Sequence, residues 1–213
     1  IYIQTLKNTY PVLTITGPRQ SGKTTLCKSS FPNLPYINLE KPETRNFALE
    51  DPRGFLADIP SGAILDEIQR TPELPSYIQS IVDKPVFDGM FVLTGSHNFT
   101  LRNTISQSLA GRTAILSLLP FSVHELEQAQ ILHEAEEHMF KGQYPRIHDK
   151  NIDPTRFYSD YLSTYLERDL RLISLIKDLS SFNTFLQLCA GRTGQILNIN
   201  ALADDAGISF VTA

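Results

Sequence analysis

Residues 12–25 read Val-Leu-Thr-Ile-Thr-Gly-Pro-Arg-Gln-Ser-Gly-Lys-Thr-Thr, and this stretch decides the fold. Its second half matches the pattern G-x-x-x-x-G-K-[ST] of a phosphate-binding loop (P-loop), which needs a strand before it and a helix after it. The apolar run Val12–Thr16 predicts the strand, and Lys23–Ser30 predicts the helix. The sequence therefore predicts a strand, a loop and a helix that together bind the phosphates of a nucleotide.

Each part of this loop has a chemical role toward a nucleotide. Glycines let the backbone fold around phosphate oxygens, so that successive amides and the helix N-terminus face the anion. Lys23 supplies a positive charge to the β and γ phosphates, and the Thr24 hydroxyl is a ligand for Mg²⁺. ATP with Mg²⁺ is the expected ligand pair. The predicted nucleotide-binding residues are Gly17, Pro18, Arg19, Gln20, Ser21, Gly22, Lys23, Thr24 and Thr25.

Short apolar runs alternate with helix-like stretches through residues 12–120. The runs carry few charges, which is typical of strands buried on both faces of a parallel sheet. The alternation predicts an α/β fold, a three-layer P-loop NTPase sandwich with a parallel central sheet. The predicted strands are Val12–Thr16, Tyr36–Leu39, Ala63–Leu65, Met90–Thr94 and Thr113–Leu118, and the predicted helices are Lys23–Ser30, Pro52–Asp58, Pro72–Lys84 and Phe99–Ala110.

The sequence changes character after Pro120, and we place a domain boundary near residue 150. Residues 1–150 are the predicted P-loop ATPase domain, and residues 151–213 are a helical region that ends in a partial winged helix. In this last pattern Asn200 caps a short helix, Gly207 makes the turn and Ser209 caps a second helix. DNA binding and a packing role suit the pattern equally. Because it is cut short, we expect the chain to be a piece of a longer protein.

Two acids directly follow the apolar run Ala63–Leu65. In a parallel sheet the carboxyl end of such a strand lies beside the phosphate-binding loop. Asp66 is therefore predicted to hold Mg²⁺ together with Thr24. Glu67 is predicted to polarise the attacking water, which is what separates a hydrolase from a simple nucleotide binder. The alternative is a pair of acids at the solvent edge of a strand.

Two further positions complete the predicted catalytic set of Lys23, Glu67, Ser96 and Arg112. Ser96 ends an apolar run and is our first choice for contact with the γ-phosphate or the water. Thr94 and Asn98 are the second choices. The alternative for this segment is an ordinary strand-to-loop turn. Arg112 can stabilise transition-state charge in cis or from a neighbouring subunit, or it can form a surface ion pair. Action in trans would require an oligomer.

Composition limits the remaining classes of function. The formal net charge of −4 argues against a globally basic nucleic-acid-binding surface. Only two cysteines occur, so a disulfide framework is not expected, and Cys27 is predicted to be a small buried thiol. No apolar run approaches the roughly 20 residues that cross a bilayer. These features favour a cytoplasmic protein that has no membrane segment.

Several short motifs occur in a fixed order along nearly the whole chain. They are Gly-Pro-Arg-Gln-Ser-Gly-Lys-Thr-Thr (17–25), Leu-Asp-Glu-Ile-Gln (65–69), Leu-Thr-Gly-Ser (93–96), Ser-Leu-Ala-Gly-Arg (108–112), Leu-Pro-Phe-Ser (119–122), Gly-Gln-Tyr-Pro (142–145) and Tyr-Leu-Glu-Arg-Asp-Leu (165–170). As a set they resemble a large prokaryotic family of predicted ATPases of the AAA+ superfamily, in which the ATPase domain precedes a domain of unknown function. The resemblance implies the usual ATPase roles for Lys23, Thr24, Asp66, Glu67 and Ser96. In the motif at 142–145, Gln143 stands where the family more usually has glycine.

Three functions remain in competition on the sequence alone. The first is a Mg²⁺-dependent ATPase whose hydrolysis drives a conformational switch. The second is a nucleotide-gated module that binds DNA or a protein through its C-terminal region, with little turnover. The third is a P-loop kinase for a small molecule. Glu67 directly after Asp66 favours hydrolysis over transfer, and the sequence contains no Arg-rich lid segment.

Overall fold

Five parallel strands form the central sheet, which confirms the predicted α/β fold. The computed structural model describes residues 2–84, 86–96, 105, 107–131, 133–166 and 179–210. Each strand begins within one residue of the predicted run, and the strand order across the sheet is β2-β3-β4-β1-β5. The strands are β1 (Val12–Gly17), β2 (Tyr36–Asn38), β3 (Ala63–Asp66), β4 (Phe91–Ser96) and β5 (Thr113–Ser117).

Helices connect these strands, and most of them begin at a recognisable start signal. The Asp51 side chain accepts a hydrogen bond from the Gly54 amide at 2.9 Å, so it caps the helix that begins at Pro52, the predicted first residue of that helix. The first helices are α1 (Tyr2–Leu6), α2 (Lys23–Ser30), α3 (Pro42–Glu50), α4 (Pro52–Ala57) and α5 (Leu74–Val82), with a 3₁₀ turn at Ile68–Arg70. Within the described residues up to 150, three more helices follow β5, namely α6 (Val123–Gln128), α7 (Ala135–Lys141) and α8 (Pro145–Lys150).

One helix was not predicted, one predicted helix begins later than expected, and one lies largely outside the described residues. Helix α3 was not predicted, although Pro42 stands in its first turn. Helix α5 begins at Leu74 instead of Pro72, since Glu73 occupies its N-cap and Pro75 its first turn. The predicted helix Phe99–Ala110 falls mostly on residues that are not described.

The sheet separates two hydrophobic cores, one on each face. Residues of one strand alternate between them, as the two-residue period of a strand requires. Ala63 and Leu65 pack into the core that α4 and α5 cover, whereas Ile64 packs with Cys27 of α2 on the other face. Both faces are therefore covered by helices, which is the three-layer arrangement that the uncharged strands predict.

The chain folds as two compact units, Ile1–Asn151 and Ile152–Ala213. The described helices of the second unit are α9 (Pro154–Tyr161), which continues into a π-helical turn at Leu162–Leu166, α10 (Leu179–Gly191) and α11 (Ile199–Ala206). Among the described helices of either unit, none combines the length and apolar character that a membrane span needs.

The end of the chain matches the predicted helix-turn-helix only in its first helix. The cap of α11 is Asn198, which accepts a hydrogen bond from the Ala201 amide at 3.0 Å, and not Asn200. Gly207 adopts the left-handed conformation with φ 65°, as the turn requires. The predicted second helix after Ser209 reaches residues outside the described part, so the winged helix stays a prediction.

Candidate active site

The carboxyl ends of three neighbouring strands bring the predicted site residues to one edge of the sheet. Parallel strands β1 and β4 pair Gly17 with Ser96, and β3 pairs with β4 on its other side. The P-loop leaves β1 at Gly17, Asp66 ends β3 and Ser96 ends β4. This edge, the carboxyl edge, is where ligands bind in open parallel sheets.

The backbone of the P-loop needs glycine at two positions. A Cβ atom on Gly17 would lie 2.0 Å from the Leu118 carbonyl oxygen, a distance that no side chain tolerates. Gly22 has φ 94°, in the left-handed region, and immediately precedes helix α2. The two glycines therefore permit the turn that aims the first amides of α2 toward an anion.

Lys23 is buried at the base of the loop. Its ammonium donates hydrogen bonds to the Gly17 carbonyl oxygen at 3.0 Å and to the Pro18 carbonyl oxygen at 2.7 Å. Burial lowers the pKa of Lys23, while the neighbouring carboxylates Glu67 and Asp66 act in the opposite direction. The positive charge of Lys23 is thus held inside the loop. A bound phosphate would replace these carbonyl oxygens as a stronger, charge-assisted hydrogen-bond partner of the ammonium.

Among the described residues, three hydroxyl groups donate hydrogen bonds to the Asp66 carboxylate. Thr24 donates to Oδ2 at 2.9 Å, and Tyr36 donates to the same oxygen at 2.6 Å. Thr94 donates to Oδ1. A hydroxyl and a carboxylate held together are hard oxygen ligands of the type that Mg²⁺ prefers. Ser21 fits a bound phosphate as well, because its buried hydroxyl makes no hydrogen bond within the described residues.

Gln69 joins the predicted base to the predicted γ-phosphate contact. Its amide nitrogen donates to Glu67 Oε2 and to Ser96 Oγ, the latter at 3.1 Å. Glu67 has φ 60°, a left-handed conformation that turns the chain sharply after β3. Burial raises the pKa of Glu67, and the positive charge of Arg19 opposes that shift. A carboxyl group with a raised pKa is a better proton acceptor than an ordinary surface glutamate.

The structure does not bring Arg112 to this site. It precedes β5, and its carbonyl oxygen accepts a hydrogen bond from the Val12 amide at the amino end of β1. Strand β1 has six residues, so its amino end lies about 16 Å from Gly17 at ~3.3 Å per residue. The guanidinium is exposed and pairs with Asp83 and the Ala110 carbonyl oxygen. A catalytic role in cis therefore has no geometric support, and a role in trans stays a prediction.

The remaining residues named from the sequence differ in their surroundings. Arg19 is half-buried, and its charge acts on the pKa values of both Lys23 and Glu67. Thr25 is exposed. Asn98 lies outside the described residues. Cys27 is fully buried, as predicted, and burial raises the pKa of its thiol to about 12.

Sequence reasoning missed two residues that contact the acids of the site. Tyr36 begins β2 and Gln69 lies in the 3₁₀ turn after β3, and neither position belongs to the phosphate-binding pattern. A usable signal existed for Gln69, since a polar side chain two residues after Glu67 can fold back on it. Tyr36 gave no such signal, because only strand pairing places it beside Asp66.

Comparisons with known proteins match both parts of the chain. Residues 132–213 match a family model described as a domain of unknown function (DUF8612), and residues 9–127 match one described as an AAA domain. The chain is 28% identical over 206 residues to an uncharacterized protein of Mycobacterium tuberculosis and to one of Mycobacterium bovis. That region is 95% of this chain and 46% of each relative, so the chain spans about half the length of the curated relatives it matches.

A solved structure shares the fold. The Walker-type ATPase of Pyrococcus abyssi superposes with a TM-score of 0.52 at 13% identity, which covers 96% of this chain and 86% of that chain. The AAA match covers more than half of the 213 residues and includes every residue of the site described above. This chain therefore belongs to the AAA domain family, as a P-loop ATPase domain followed by a domain of unknown function.

Proposed function

We propose that this chain binds ATP with Mg²⁺ and hydrolyses it, and that hydrolysis drives a conformational switch. The observation that carries the proposal is the arrangement of acids at the carboxyl edge. Asp66 is bonded to the P-loop residue Thr24 at 2.9 Å, and Glu67 is joined through Gln69 to Ser96. This arrangement supports a metal site and a general base next to the same predicted phosphate-binding loop.

Each group has a separate task in this proposal. Lys23 exchanges its two loop carbonyls for oxygens of the β and γ phosphates. Thr24 and Asp66 hold the Mg²⁺ ion, which neutralises phosphate charge when it is bound. Glu67 accepts a proton from the attacking water while Gln69 fixes its carboxylate, and Ser96 contacts the γ-phosphate or the water. The products are ADP and phosphate.

Hydrolysis by the chain itself tests this proposal. Phosphate release from ATP is measured with excess Mg²⁺ and with EDTA, and ATP affinity is measured by calorimetry in both conditions. We expect binding in both, tighter with Mg²⁺, and release only with the metal. Binding without release would reject the hydrolase and favour the second function below. Absence of ATP binding would reject both.

The second function is a nucleotide-gated binding module, and one contact favours it. Pro145 begins α8 inside the region matched by the domain of unknown function. Its Cγ lies 3.9 Å from the position that a Cβ on Gly22 would take. The predicted phosphate-binding loop therefore lies near a segment outside the AAA match, and in this second proposal that segment reports the nucleotide state to a DNA or protein partner.

Turnover and partner binding separate the two functions. For a DNA partner, anisotropy with a labelled duplex is measured at low and high salt, with and without ATP. A protein that neutralises DNA phosphates releases their counterions, so its affinity for the duplex falls steeply as the salt concentration rises. We expect weak binding or none by this chain, because its net charge is −4. A longer form of the protein that binds duplex in a salt-sensitive and nucleotide-dependent way would support the second function.

A further inference from the structure

A tyrosine from outside the nucleotide-binding motifs contacts the predicted metal ligand. The Tyr36 hydroxyl donates to Asp66 Oδ2 at 2.6 Å, the shorter of the two hydrogen bonds to that oxygen. We propose that Tyr36 is a positioning residue that holds the Asp66 carboxylate in the orientation that binds the Mg²⁺ of the nucleotide. This inference rests on the proposed function and adds a residue to its metal site.

The other donor to Oδ2 cannot fix the carboxylate independently of the metal. Thr24 is itself a predicted ligand of the metal and belongs to the phosphate-binding motif. Tyr36 belongs to β2 and Thr94 to β4, the strands on either side of the strand that carries Asp66. One sheet residue therefore holds each carboxylate oxygen, Tyr36 at Oδ2 and Thr94 at Oδ1. Together they set the plane of the group before the metal arrives.

Two contacts hold the tyrosine in place. Strands β2 and β3 pair Tyr36 with Ile64 and Asn38 with Asp66, so the phenol reaches two positions along the neighbouring strand. From above, the Lys28 ammonium lies 3.7 Å from the centroid of the Tyr36 ring. A cation at that distance is attracted by the negative face of the ring. Because Lys28 belongs to α2, the tyrosine connects the helix after the P-loop to the acid at the end of β3.

A residue that hydrogen-bonds a metal ligand affects the affinity for the metal, and not the contacts that the protein makes to the nucleotide itself. Removal of such a partner typically lowers metal affinity by about 10- to 100-fold. Within the described part of the chain, Tyr36 makes no side-chain hydrogen bond to a backbone amide of the P-loop. Loss of its hydroxyl should therefore weaken the metal-dependent part of ATP binding and leave the metal-free part unchanged.

The test is Tyr36→Phe, which removes the hydroxyl and keeps the ring under Lys28. ATP affinity is measured by calorimetry in EDTA and across a Mg²⁺ titration, after melting curves have shown that the variant is folded. We expect the half-saturating Mg²⁺ concentration to rise about 10-fold, at the lower end of the usual range, with parental affinity in EDTA. The matched control is Tyr77→Phe on α5, which should match the parent in both conditions.

A second measurement separates positioning from general support of the fold. In an Asp66→Ala background, Tyr36→Phe should cause no further change in the Mg²⁺ requirement, because the carboxylate through which Tyr36 acts is gone. A parental Mg²⁺ requirement in Tyr36→Phe would overturn the inference while the proposed function stands. Equal weakening in EDTA and Mg²⁺, or an additive effect in the double variant, would also overturn it. A parent chain that binds no ATP would overturn both.

Discussion

The two edges of the central sheet hold charged residues in opposite settings. At the carboxyl edge Lys23 and Asp66 are buried and share hydrogen bonds with their neighbours. At the opposite edge, where the parallel strands begin (the amino edge), Arg112 and Asp83 form an exposed ion pair. Both edges contain residue types that catalyse phosphate chemistry. In the described part of the chain, such residues are buried only at the carboxyl edge, within or beside the predicted phosphate-binding loop.

This difference teaches how to weigh a charged residue in a motif. An exposed ion pair contributes about 0–1 kcal/mol, because water and salt screen it. Buried charges with shared partners have shifted pKa values, and such groups concentrate at functional sites. Burial shifts the pKa values of Lys23 and Glu67. Residue type alone made Arg112 a candidate, whereas its position at the amino edge removes the case for action in cis.

The largest expected effect concerns Glu67 at the carboxyl edge. Glu67→Gln keeps the size and shape of the side chain but removes the group that accepts the proton. Hydrolysis should slow by about 100-fold or more, as for the loss of a general base, while ATP stays bound. Phosphate release and calorimetry measure the two quantities. The matched control, Glu50→Gln on the exposed end of α3, should hydrolyse like the parent, and parental hydrolysis by Glu67→Gln would remove Glu67 from the mechanism.

Lys23→Ala should have the next largest effect. It removes the charge that meets the β and γ phosphates, and a charged hydrogen bond is worth about 2 kcal/mol. ATP affinity should fall by about 30-fold, since every 1.4 kcal/mol is tenfold. Calorimetry checks this result, with Lys41→Ala as an exposed lysine that should not matter. Unchanged ATP affinity in Lys23→Ala would contradict the assignment of the P-loop.

A smaller effect concerns the pH dependence of stability. Because burial raises the folded-state pKa of Glu67 above its ordinary value of 4.5, the ionised side chain destabilises the free protein at neutral pH. That loss of stability disappears as pH falls through the raised folded-state pKa to the unfolded one. Glu67→Gln should therefore unfold at higher urea than the parent at pH 7, and the difference should vanish below about pH 4. A gain that is equal at both pH values would contradict this cause.

The smallest effect is expected at the amino edge. Arg112→Ala should leave the urea midpoint of unfolding close to that of the parent, because water and salt screen an exposed ion pair. Hydrolysis by dilute protein should remain close to that of the parent. A loss of about 1,000-fold that grows with protein concentration would instead indicate an arginine acting in trans. That result would give the amino edge a catalytic residue as well. Sedimentation at the same concentrations would show the oligomer.

The sequence by itself determined the strands, the P-loop and the acid pair. Strands buried on both faces must be apolar along their whole length, and a phosphate loop needs its glycines, lysine and threonine at fixed spacing. These constraints act on residues that are close in the sequence, so one amino-acid sequence is enough to recognise them. Lys23, Thr24, Asp66, Glu67 and Ser96 consequently lie on one edge of the sheet, as their places after predicted strands indicated.

Only the tertiary structure decided which side chains surround those residues. Strand β2 pairs with β3, and this pairing sets Tyr36 beside Asp66 although 30 positions separate them. The parallel pairing of β5 with β1 likewise puts Arg112, which precedes β5, at the opposite edge from Ser96, which ends β4. Contacts of this kind depend on which strands become neighbours, and the packing of the whole sheet fixes that choice.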